Sequence, residues 1–223
     1  MPGSRSGPAG SEVLAAPDPL AEVLPHGGVP RGSVLRLSSA APGGSGTTSL
    51  LLTLLAAPRG VWSAVVGMPG LGVLAAAELG VDLDRLGLIP DPGPDVLQVL
   101  SVLADGVDVI ATAAPAKVPP ARARVLTGRL RQQGAVLLVV GHWPGADLTL
   151  TITDVRWSGI GQGHGRLRDR EIDVEVGGRR AGGGARTTML LRSTRTGVSV
   201  EPGTPAASRR STMPPAIAEA GAG

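Results

Sequence analysis

The sequence predicts an α/β fold: a parallel central sheet covered by helices and extended towards the C-terminus by an antiparallel meander. Three observations carry this expectation. Between residues 33 and 141, short apolar runs of strand length alternate with segments of helical pattern. Those runs lack polar alternation, as do strands buried on both faces. Beyond Gly141 the pattern changes to strict apolar–polar alternation, which belongs to strands with one solvated face.

The expected buried strands are SVLRLS (33–38), WSAVVG (62–67), LGLI (86–89), VDVIA (107–111) and AVLLVVG (135–141), with helices over 47–57, 71–79, 94–104 and 119–133. Strands alternating with helices in this way argue for βαβ units. In DLTLTITDVRW (147–157), Leu148, Leu150 and Ile152 share one face and Thr149, Thr151 and Thr153 the other. In REIDVEVGG (170–178), Ile172, Val174 and Val176 oppose Glu171, Asp173 and Glu175. TTMLLRS (187–193) is the natural antiparallel partner across the Gly- and Arg-rich turn GGRRAGGGAR (177–186).

Composition bounds the rest. The chain has 223 residues, 42% of them hydrophobic, with no Phe, Tyr or Cys, so the core relies on aliphatic side chains and three tryptophans. Residues 1–11 and 202–223 are rich in small residues and Pro, too poor in large apolar groups to offset ordering entropy, and are expected to be disordered tails. One domain is expected over 12–201, its α/β core reaching about 141 and its antiparallel extension 147–201. MPGSRSGPAGS has no apolar signal core, and no apolar run approaches the ~20 residues that span a bilayer. A cytoplasmic protein with no membrane partner is expected. The net charge of +3, carried by arginines with Lys117 as the lone lysine, is weak evidence for nucleic acid. Without Cys, and with His26, His142 and His164 scattered, no metal site is expected.

The first strand runs into APGGSGTTSL (41–50), which has the shape of a phosphate-binding P-loop. Such a loop wraps backbone N–H groups around phosphates, places Lys on the β/γ oxygens and sets a Ser/Thr hydroxyl on Mg²⁺. Gly43, Gly44, Ser45 and Gly46 supply a pliable backbone and Thr48 the hydroxyl, but Ala41 stands at the first glycine and Thr47 at the lysine. A lost charge-assisted contact of about 1.5–3 kcal/mol weakens nucleotide binding by about one to two orders of magnitude. On these residues alone the loop reads either as a glycine turn joining strand to helix or as a site that holds residual nucleotide or an anion on the helix N-terminus without turnover.

The flanks extend the pattern. LPHGGVPRGSVLRLSSAAPGGSGTTSL (24–50) and ELGVDLDRLGLIPDPGPDVLQVLSVLADGVDVI (78–110) resemble the RecA core in order and spacing, a resemblance that covers about 24–195. It implies a water-activating glutamate where Met68 stands, a Walker B aspartate where Ala113 stands, and an Asn-Gln pair where Gly141 and His142 stand. The two DNA-binding loops of RecA correspond here to the short AAPAKVPPARARV (113–125) and HWPGA (142–146). GMPGLGVLAAAELGVDLDRLGLIPDPGP (67–94) and GHWPGADLTLTITDVRWSGIGQGHGRLRDR (141–170) are similar to the actinobacterial ImuA′ family, the truncated RecA-like proteins of the DNA-damage mutagenesis cassette. That resemblance implies a RecA-like core in a non-catalytic adaptor for SOS-induced translesion synthesis. Its implied partners are an ImuB-type inactive relative of Y-family polymerases, an error-prone C-family polymerase and RecA, with DNA mostly indirect. The meander and C-terminal tail are the first candidates for the recognition surface.

Other readings stay open at this level. One is a RecA-type ATPase with a relocated lysine, for which Lys117 is the candidate. Others are a single-stranded-DNA-binding module using the Arg segments at 122–131 and 166–186, and a SulA-like cell-division inhibitor. Arg166, Arg168, Arg170, Arg179 and Arg180 are the partner or nucleic-acid candidates, with ion pairing to neighbouring strands as the alternative. Gly159, Gly161, Gly163 and Gly165 suggest a close backbone crossing. The arginines of 117–131 divide between two faces of a helix and are expected to be solvated. Trp143 and Trp157 are expected in the core.

Overall fold

The computed structural model describes residues 12–42, 46–161, 164–179, 181 and 184–204, with backbone alone over 159–161 and 164–168. The elements run β1 (Val13–Ala15), α1 (Asp18–Ala21), β2 (Gly28–Pro30), β3 (Val34–Ser39), α2 (Thr47–Ala56), β4 (Ser63–Val66), α3 (Val73–Glu78) and β5 (Leu86–Ile89). They continue through α4 (Val96–Leu103), β6 (Val109–Ala113), α5 (Pro120–Gln133), β7 (Val136–Val140), β8 (Leu148–Gly161), β9 (His164–Gly177), β10 (Ala185–Ser193) and β11 (Val198–Pro202). Local chemistry sets several boundaries. Asp95 caps α4 by accepting from the Gln98 N–H at 3.2 Å, and Gly134, at φ 67°, closes α5 in the left-handed region.

Nine strands form one sheet in the order β11-β10-β9-β8-β3-β7-β6-β4-β5. Strands β3 to β8 pair parallel with one another, and β9, β10 and β11 follow antiparallel. From β3 the chain steps outward to β4 and β5, then returns through β6 and β7 and passes β3 to reach β8. Right-handed crossovers place helices of the outward steps on one face and those of the return on the other. Packing follows that rule. Leu50, Leu51, Leu54 and Leu55 of α2 and Ala76 of α3 pack with Leu35, Leu37, Val136 and Leu138. On the opposite face, Leu97 and Leu100 of α4 and Ala123, Leu126 and Leu130 of α5 pack with Val34, Leu137 and Val139.

The antiparallel part belongs to the same core. Leu148, Leu150, Ile152, Ile172, Val174, Val176, Met189 and Leu191 are all buried with the α2 leucines. Leu20 and Leu24, and Leu14 and Val29 of the small β1–β2 ribbon, join that layer, and α1 lies against β10 and β11. A bulge between Ile152 and Asp154 lets both Ile152 and Val155 face this layer. The opposite face of the meander is polar and paired. Arg156 binds Asp173 at 2.6 and 2.8 Å, Thr188 donates to Asp173 at 2.7 Å, and Arg186 binds Glu175 at 2.9 Å. The Asp173 carboxylate raises the Arg156 guanidinium above the ordinary arginine range against the cost of burial, and Asp154 adds to it.

Several expectations need correction. LGLI is the edge strand, not one buried on both faces: Gly87 and Leu88 of β5 are exposed. The glycines of WSGIGQGHG do not mark a backbone crossing. They flank the end of the β8–β9 hairpin, where Ile160 pairs with Gly165 and Gly161 with His164; Gly163 lies outside the described residues. The β1–β2 ribbon, α1 and β11 were not expected as elements, and Pro202, assigned to the tail, closes β11. Gly203, also expected in the tail, donates its N–H to the Thr188 carbonyl at 2.8 Å, while tail residues 1–11 and 205–223 lie outside the described residues. Among the described residues, no helix is long and apolar enough to cross a membrane.

Candidate functional site

The P-loop-like segment joins the C-terminal end of β3 to the N-terminus of α2, in the middle of the sheet. Gly43, Gly44 and Ser45 lie outside the described residues. The flanks are tied to the neighbouring strand: the Ala40 N–H donates to the Ile152 carbonyl at 2.8 Å, and the Ala41 N–H donates to Ser39 Oγ at 3.1 Å. Gly46 precedes α2 at φ 88°, a conformation that favours glycine. A Cβ there would meet Ile152 Cδ1 at 3.0 Å and Val155 Cγ2 at 3.1 Å. Its backbone conformation, reinforced by the tight packing of the turn on β8, therefore favours glycine. Thr47 begins the helix, and Thr48 and Ser49 open onto a cleft between α2, α3 and the meander.

All five parallel strands from β3 to β7 end at the same edge, the side on which open α/β sheets place ligands. Met68, Ala113, Gly141 and His142 lie at or just after the ends of β4, β6 and β7 on this side, and none supplies a carboxylate or a lysine. Met68 packs on the core, and Gly141 accepts from Arg36 Nε at 3.0 Å, while His142 is exposed. Lys117 is exposed in the loop after β6. Among the described residues no group of His, Cys, Asp and Glu could hold a metal ion.

The candidate arginines separate. Arg166 and Arg168 lie on β9, their side chains outside the described residues, and Arg180 lies outside them altogether. Arg170 points to the α2 side, where it donates to Ser49 Oγ and stacks over the Trp157 ring at 4.7 Å from its centroid. Burial pulls this guanidinium below the ordinary arginine range. Trp157, expected in the core, is 51% exposed, because it sits beyond the bulge towards the turn end of the hairpin with Arg170 as its cover; Trp143 is buried at 2%.

Arg179 lies beyond the other end of β9, donating to the Gly145 carbonyl at 2.7 Å and standing 3.8 Å from Asp147. The α5 arginines are mostly ion-paired: Arg122 with Asp95 at 2.6 Å, Arg129 with Asp105, and Arg131 with Asp147 at 3.2 Å. Asp147 is a functional residue that the sequence pattern does not single out. It is 3% exposed on its side chain, and its other oxygen accepts from the buried Val34 N–H at 3.1 Å. The available signal was an acid set against the apolar start of a strand.

Residues 22–145 match the family described as the MT3502 N-terminal domain, a match ending in the loop before β8. The chain is also 41% identical over 145 residues to the uncharacterized protein Rv3395c of Mycobacterium tuberculosis, an overlap covering 62% of this chain and 68% of that relative. With the match spanning more than half of its residues, the chain belongs to the MT3502 N-terminal domain family.

Proposed function

We propose that the protein is a non-catalytic, RecA-like adaptor of the ImuA′ type, acting in the cytoplasm in damage-induced translesion synthesis. The observation that carries this reading is the loop-bearing edge of the sheet. Thr47, Met68, Ala113 and His142 stand at the positions that would carry lysine, glutamate, aspartate and a polar amide. With those groups replaced together, the positions that would carry the lysine, the glutamate and the aspartate hold no side chain of that chemistry. The glycine at position 46 has a packing reason to remain, so its retention does not argue for a nucleotide.

Direct DNA binding is disfavoured by charge pairing. Sequence-independent binding to a phosphate backbone needs many uncompensated cations along a track. Here Arg122, Arg129, Arg156 and Arg186 each face a carboxylate. The adaptor instead works through protein contacts with an ImuB-type polymerase relative and the associated error-prone polymerase. Capture of the tagged chain from DNA-damaged cells, followed by mass spectrometry, tests the reading. Co-purification of the ImuB-type protein is expected; its absence from a capture that retrieves intact bait would overturn the assignment.

A further inference from the structure

Two Arg-bearing segments far apart in sequence meet in space. A cleft of about 360 Å³ is lined by Pro120, Arg124 and Arg131 of α5, by Pro144 and Gly145 of the loop before β8, and by Arg179 of the β9–β10 turn. The convergence has a backbone cause. Gly178, at φ 115°, packs so closely on this loop that a Cβ would lie 2.7 Å from the Asp147 carbonyl oxygen. This close approach brings Arg179 to the Gly145 carbonyl. Three guanidinium groups thus surround a site, two of them facing the Asp147 carboxylate.

That carboxylate is already committed. One oxygen accepts from Val34 N–H, and the other faces Arg131 at 3.2 Å and Arg179 at 3.8 Å. Arg124 donates only to the carbonyl of Pro120, at 3.3 Å, and meets no carboxylate among the described residues. Two positive charges are left uncompensated at the mouth of the cleft, where Arg131 and Arg179 are 51% and 67% exposed. Guanidinium forks suit carboxylates and phosphates alike, with paired N–H groups directed at paired oxygens.

We infer that this cleft binds an acidic peptide segment of a protein partner, its carboxylates on Arg124 and Arg179 and its apolar neighbours against Pro120 and Pro144. Two features favour a peptide over a nucleic acid. Among the described residues of α5, the uncompensated charge lies on the side of this notch, because Arg122 and Arg129 on the other side are neutralised by Asp95 and Asp105. A backbone-tracking site needs a longer stripe. The rim is built of proline rings, and among the described residues lining it there is no aromatic face on which a base could stack.

This surface deepens the adaptor reading and rests on it for the identity of the partner. The test uses the full chain and a labelled peptide rich in Glu and Leu, with a labelled oligothymidylate of equal length as the second probe. Fluorescence anisotropy is recorded at low ionic strength for the wild type, for the Arg124→Glu/Arg179→Glu double variant, and for Arg59→Glu/Arg195→Glu. The last pair carries the same charge change at exposed positions elsewhere. Peptide affinity should fall at least about tenfold in the first pair and stay within about twofold in the second, with thermal midpoints unchanged. Equal losses in both pairs, no loss in either, or an oligonucleotide that binds more tightly than the peptide and is lost with Arg124 and Arg179, would overturn the assignment. If the double variant still captures the ImuB-type protein from cells, the adaptor survives and this surface does not.

Discussion

Replacing Asp147 by alanine removes a side chain that ties the start of β3 to the loop before β8. Its Oδ2 satisfies the Val34 N–H inside the sheet, where Val34 is fully buried. Leaving that donor without an acceptor costs about 1–3 kcal/mol. The pair with Arg131 adds at most about 1 kcal/mol, since the arginine is half exposed and solvent screens it. The total is about 1–4 kcal/mol, or a fall of about 2–16 °C in melting temperature for a chain of this size. Asp147→Asn keeps a carbonyl oxygen for Val34 and gives up only the charge, so its cost should be about 1 kcal/mol. Urea denaturation followed by circular dichroism, with alanine and asparagine variants side by side, measures the difference. Equal stabilities for the two variants, or an alanine variant within about 0.5 kcal/mol of wild type, would refute the role assigned to the buried hydrogen bond.

Three further outcomes are expected. The hydrogen bond from Arg122, and then that from the Gln98 N–H, hold the Asp95 carboxyl below its ordinary value of 3.8. Because the folded-state pKa is the lower one, this stabilisation is present above 3.8 and is lost as pH falls through the folded value. The stability gap between wild type and Asp95→Asn should close over that acid range in pH-dependent unfolding, and a gap that persists there contradicts the pairing. Gly46→Ala should cost about 1–3 kcal/mol in urea unfolding, from its positive φ and from the approach of Ile152 and Val155; a neutral change would show that the turn does not need glycine. A chain ending at Trp157 should lose its cooperative melting transition in calorimetry, since it strips Leu148, Leu150 and Ile152 of Ile172, Val174 and Val176. A sharp transition would mean that the meander is a separable unit.

Periodicity carried most of this fold. Strands β3, β4, β6 and β7 are runs such as VLLVV that suit burial on both faces, and the alternation of DLTLTITD and REIDVEV placed Leu148, Ile152, Ile172 and Val176 on the inner face. Where the pattern was too short it was silent. The β1 and β2 strands have three residues each, less than two repeats of the strand period, and they are defined by mutual pairing rather than local sequence. LGLI reads like a central strand because composition records apolar content and not position in the sheet. Trp157 shares the α2-side face with Val155 but lies towards the turn end of the β8–β9 hairpin, and an alternating run gives a residue's face without saying how far the covering layer reaches. The candidate loop was legible as a motif, while the meeting of Arg124, Arg131 and Arg179 near Asp147 was not. Their sequence separations say nothing about contact until the sheet order is known.

The central claim, an adaptor that needs the fold but not the chemistry of its loop, is tested most directly by damage-induced mutation frequency in cells. Three strains are compared: wild type, a deletion of the chain, and a Thr47→Ala/Thr48→Ala replacement expressed at the wild-type level. The account predicts that deletion lowers induced mutagenesis to the undamaged background and that the double replacement retains the wild-type frequency. A deletion strain that mutates like wild type, or a double replacement that falls to the level of the deletion, would contradict it.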